Sequence, residues 1–137
     1  MAKGLFQQAQ SSIESARQAL RDGHWAYAVR TSQDASELSL KALLLSAGTD
    51  PPKVHNLSHA LKENKDRLGK MGFRGGEVEE MAKMAAGLAE NRSKALYGDE
   101  KRDIPASKLY EQDDADSALR AAEDVHQRCR DAAEKRF

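Results

Sequence analysis

The chain has 137 residues, the size of one ordinary domain, and its 22 basic and 22 acidic side chains cancel to a formal charge of zero. No global field therefore steers it towards nucleic acid, and its single cysteine, Cys129, excludes both an internal disulfide and a cysteine-rich zinc site. Charged residues at 32%, aromatics at 5% and only three prolines favour amphipathic helices over a sheet sandwich.

The first segment, MAKGLFQQAQSSIESARQAL, lacks the uninterrupted apolar core of a signal peptide, and no stretch approaches the ~20 apolar residues that span a bilayer. A soluble cytoplasmic protein without membrane contact is expected. From Lys3 to Arg21, Phe6, Ala9, Ile13, Ala16 and Leu20 recur at three- and four-residue steps, the stripe of a helix that Asp22-Gly23-His24 then ends.

A second helix is expected from Trp25 to about Ala47. Trp25, Ala28, Val29, Ser32, Ala35, Ser39, Ala42 and Leu43 share one side, and Leu40 and Leu44 widen the apolar surface. Its polar strip is narrow: Arg30 with Asp34 and Glu37 with Lys41, both at the i,i+4 spacing that favours pairing. Such a helix belongs at the centre, and its small residues let a neighbour come close.

Gly48-Thr49-Asp50-Pro51-Pro52 is a stop. A short helix follows from about Ser58 to Leu68, with Leu57, Leu61 and Leu68 turned inward, inside a locally basic stretch from Lys53 to Arg74. Another long helix runs from Glu77 to Tyr97 on the stripe Val78, Met81, Ala85, Leu88 and Leu96, with glutamates in its first turn, where the helix dipole favours negative charge. Asp99 to Gln112 reads as an ordered strap over the bundle. The last helix starts near Asp113 or Asp114 and turns Ala115, Ala118, Ala122, Val125, Cys129 and Ala132 or Ala133 inward. The sum is one all-α domain over residues 1–137, an antiparallel up-down four-helix bundle with one additional short helix.

The ordered series from Leu20-Arg21-Asp22-Gly23-His24-Trp25-Ala26-Tyr27-Ala28, through Ser32 to Leu44, to His55-Asn56-Leu57 with Leu61 resembles the HEPN domain (higher eukaryotes and prokaryotes nucleotide-binding). Arg92-Ser-Lys-Ala-Leu-Tyr97-Gly98-Asp99-Glu100 resembles the RYGDE-like ending of small prokaryotic, archaeal-type members. The resemblance implies a small homodimer acting with a minimal nucleotidyltransferase as a toxin–antitoxin pair. Ribonucleases of the family use an arginine, four to six residues, then a histidine. Here Arg92 matches, but positions 97, 98 and 99 are Tyr, Gly and Asp. Enzymatic activity therefore ranks below a binding or interaction role.

Arg92 lies in the middle of an apolar stripe, where a guanidinium must be paired or kept near solvent. It is the candidate for holding a phosphate, and equally for an internal salt bridge to Glu37 or another acid. Tyr97 sits about 140° further round a regular helix. It is a weak base at neutral pH but can stack on a base, and the resemblance makes it a candidate for adenylylation; its alternative role is to pack the strap. Arg92 and Tyr97 are thus the variant-nuclease candidates. With Glu37 and Lys41, from the only polar strip of the central helix, they are also the candidates for binding nucleotide or RNA. His55 and His59, four apart, lack the further ligand a metal needs, so no metal site and no cofactor are expected.

Overall fold

The computed structural model describes residues 1–135. Helix α1, Ala2–Arg21, buries Phe6, Ala9, Ile13, Ala16 and Ala19, while Leu20 is only partly covered. Gly23 adopts φ 78° to reverse the chain, and α2, Trp25–Ser46, returns antiparallel. Eleven α2 residues are buried, from Ala28 to Leu44, and the helix touches α1, a long helix α5 (Gly75–Tyr97) and a long last helix α7 (Gln112–Glu134). The centrality expected from its narrow polar strip is what the packing shows. Two of its buried hydroxyls bond within the helix: Thr31 and Ser39 donate to the carbonyls of Tyr27 and Ala35, at 2.9 and 2.8 Å.

Between α2 and α5 the expected single short helix is two, α3 (Ser58–Glu63) and α4 (Lys65–Lys70). The break falls at Asn64, whose side-chain amide donates to the Ala60 carbonyl at 2.8 Å and competes with continuation of the helix. Leu57, Leu61 and Leu68 are all fully buried, so the inward positions hold although the element divides. Leu57 is the capping position of α3, and just before it the Asn56 Oδ1 accepts from the Ser58 amide at 3.0 Å.

Helix α5 begins two residues before the expected Glu77. The Glu77 carboxylate reaches back to the Arg74 amide at 3.1 Å, which makes Arg74 the capping position and draws both glycines into the first turn. The same device starts α7. Asp114 accepts from the Glu111 amide at 2.8 Å, so the aspartates occupy the first turn rather than the cap. The strap between them holds a one-turn helix, α6 (Ala106–Leu109), too short to show periodicity.

Shared packing fixes the directions. Ala28 and Val29 at the start of α2 cluster with Ala95 at the end of α5 and Ala115 at the start of α7; Leu40 to Leu44 cluster with Val78 to Ala85 and with Val125 to Ala133. The four long helices therefore run up, down, up, down, with α2 and α7 parallel and in contact. No described helix is long and apolar enough to cross a membrane.

Candidate functional site

The stripe of α5 changes character along its length. Val78, Met81 and Ala85 are buried, but Leu88 and Leu96 are half-buried. Arg92 lies between them. Its Nη1 donates to Asp34 Oδ1 on α2 at 2.8 Å, and about a third of each side chain stays open, 31% and 34%. The guanidinium is thus paired and near solvent at once, which is how an arginine survives in an apolar stripe. The partner is Asp34 rather than Glu37.

That pairing overturns the expected Arg30–Asp34 bridge. Arg30 instead lies over the Tyr27 ring, 4.9 Å from its centroid. The second expected pair is present, Lys41 to Glu37 at 3.3 Å. Glu37 has a further partner that the sequence did not reveal: its other oxygen accepts from His55 Nδ1 at 2.9 Å. His55 comes from the connection after α2, so only the folding back of that connection creates the contact. Two acids three residues apart on α2 each hold a side chain from elsewhere in the chain.

Tyr97 ends α5 with 68% of its surface exposed, and it does not pack the strap. The strap is closed directly behind it. Gly98 takes φ 80°, and Asp99 and Ile104 exchange two backbone hydrogen bonds of 2.8 and 2.9 Å. A Cβ on Gly98 would overlap the Ile104 carbonyl oxygen, so the glycine is required by both conformation and space. Tyr110, partly buried against the Ala28 and Ala115 cluster, packs the strap in place of Tyr97.

The remaining polar candidates lie elsewhere. His59 pairs with Glu63 at 2.9 Å on the surface, and no group of three metal-ligating side chains occurs among the described residues. Cys129 is buried and its thiol is pushed up to about 12 by desolvation, which leaves it inert. His126 is buried too, with Nε2 3.3 Å from the Phe6 carbonyl and its ring edge-on to Phe6. A cleft of about 600 Å³ lined by Lys3, Phe6, Gln7, Gln10, Ser11, Arg130 and Glu134 lies at the opposite end of the bundle from Tyr97.

The molecule is thus an up-down helical bundle whose half-open α2–α5 seam carries a guanidinium–carboxylate pair next to an imidazole–carboxylate pair. The HEPN domain family model matches residues 2–132, and the chain belongs to that family. No curated protein matches it. Among solved structures, that of TT1696 from Thermus thermophilus is similar, with a TM-score of 0.73 at 23% identity, over 99% of this chain and 98% of that one. At this identity the likeness concerns the fold.

Proposed function

We propose that this HEPN protein is a cytoplasmic homodimer that binds nucleotide or RNA phosphate on the α2–α5 seam and works beside a minimal nucleotidyltransferase in a toxin–antitoxin-like pair. One observation carries the reading: the half-exposed Arg92, anchored through a single nitrogen to Asp34 at 2.8 Å. The remaining guanidinium donors have no hydrogen-bond partner among the described residues, so they can meet a phosphate in the bidentate geometry that arginine favours. Tyr97 stands exposed at the end of the same helix as a stacking platform or modification site. Binding needs no histidine at positions 97 to 99.

The dimer is supported by the company Arg92 keeps. Leu88 and Leu96 on α5 and Leu38 on α2 are half-buried one turn from Arg92 or Asp34, and the half-buried Leu45, two turns on from Leu38, continues the α2 row. A second copy laid on this row by a two-fold axis buries the same residues from both sides. Light scattering combined with titration of ATP and a short single-stranded RNA tests the reading. A wild-type dimer that binds, and an Arg92→Ala dimer that does not, is the expected result. A monomer, or unchanged binding by Arg92→Ala, would overturn it.

A further inference from the structure

We infer that the protein associates with itself head to tail, the basic α3–α4 end of one copy docking on the acidic strap of the next. The inference goes beyond the α2–α5 seam and uses none of its residues. Residues 53–74 carry six basic and two acidic side chains, a formal charge of +4, and residues 99–116 carry seven acidic and three basic, a charge of −4. The two segments flank α5, whose 23 residues hold the opposite charges about 35 Å apart. A chain that is neutral in total is therefore strongly polar along its length.

Neither end satisfies its charge internally. Lys53, Lys62, Lys65 and Lys70 are exposed and make no ion pair among the described residues, and Arg67 only donates to the Ala47 carbonyl at 3.3 Å. The long helices behave otherwise: Arg17, Arg92, Arg128 and Arg130 each hold an acid. At the strap, Glu100, Asp103 and Asp113 are exposed and again make no ion pair among the described residues. Both surfaces are also held still, so docking orders little. Fully buried Leu61 and Leu68 pin α3 and α4, while Gly98 and the Asp99–Ile104 pairing pin the strap.

A second copy fits the basic end better than a nucleic acid does. Phe73, the single Phe, Tyr or Trp of residues 53–74, is buried, so the face has no such ring on which a base could stack. Glu63 and Asp66 interrupt its cations, just as Lys101, Arg102 and Lys108 interrupt the acids of the strap. Two mixed surfaces of equal and opposite net charge complement one another, whereas a uniform polyphosphate meets the two acids. The contact joins unlike faces, so it need not close, and copies add in line.

The test is light scattering of the full chain in about 20 mM and about 500 mM NaCl, where the screening length is roughly 20 Å and roughly 4 Å. The mean mass in low salt is expected to rise with protein concentration to at least ~2-fold its high-salt value. The pair Lys62→Glu with Lys65→Glu, or the pair Glu100→Lys with Asp113→Lys, should abolish the rise while circular dichroism in high salt stays that of wild type. An equimolar mixture of the two variants, one keeping the strap and the other the basic end, should regain a mass above either alone. A wild type whose mass ignores salt, a rise that survives either pair of substitutions, or a mixture that recovers nothing overturns the inference. So does a wild type that stays unassociated yet binds a short single-stranded DNA through Lys62 and Lys65, since the basic end then serves nucleic acid.

Discussion

Arg92 on α5 and Asp34 on α2 meet at 2.8 Å across the seam between two long helices, each with about a third of its side chain in solvent. At that exposure the Coulomb attraction is largely screened, and the ordering of two side chains offsets much of the remainder. The pair is therefore a weak contributor to stability but an effective clamp on the direction of the guanidinium.

Arg92→Ala is accordingly expected to lower folding stability by no more than about 1 kcal/mol. Urea denaturation of wild type and variant gives the comparison. A loss of several kcal/mol would mean that the arginine is a structural element of the seam rather than a ligand-facing one.

Tyr97, at the end of α5, is the most exposed tyrosine of the fold, and its hydroxyl is open to a modifying enzyme. Incubation with a minimal nucleotidyltransferase and ATP should add the mass of one AMP to the wild type. Tyr97→Phe should gain none. Addition to both proteins would place the modification on another residue.

Gly98→Ala should be destabilising by about 1–3 kcal/mol, because the strap must abandon either the positive φ or the Asp99–Ile104 pairing. Thermal denaturation should show the drop. An unchanged midpoint would mean that the strap can leave the bundle at little cost.

His126 links stability to pH. Desolvation holds its ring below the ordinary value of 6.5, against a partial opposing pull from the Phe6 carbonyl, while Arg130 and Arg17 lower it further. The unfolded chain thus takes up a proton before the folded one does, and stability falls as pH drops below 6.5. Glu77, lowered by its hydrogen bond to the Arg74 amide and then by Arg128, adds a second loss as pH falls below 4.5. Denaturation midpoints measured from neutral to acidic pH should decline in those two stages, and His126→Gln should flatten the first.

The long helices were legible because each buries a stripe that repeats every three or four residues, and the buried sets of α1 and α7 nearly coincide with the periodic positions. What escaped depended on partners distant in sequence. Arg30 and Asp34 have ideal spacing, yet such a helical pair contributes only about 0.3–0.5 kcal/mol, and a half-buried arginine from another helix outcompetes it. The contact of His55 with Glu37 escaped because nothing local indicates that the chain folds back onto α2. The expected start at Glu77 leaves Gly75 and Gly76 outside the helix, although a carboxylate three residues past Arg74 is itself a start signal. Arg92 and Tyr97 could be singled out from sequence, but which acid holds the arginine could not.

The up-down course of the helices also fixes where the molecule can be held. Lys3 and Phe6 near the start of α1 and Glu134 at the end of α7 line one cleft, while Tyr97 belongs to the pole where Ala19, Ala28, Ala95 and Ala115 converge. A dye attached at Lys3 or at Glu134 therefore lies roughly 30 Å, the length of a 20-residue helix, from Tyr97. Immobilisation at either of these positions leaves the tyrosine pole facing the solution, and dyes at both, sitting close together, would report the parting of α1 from α7 without touching the seam.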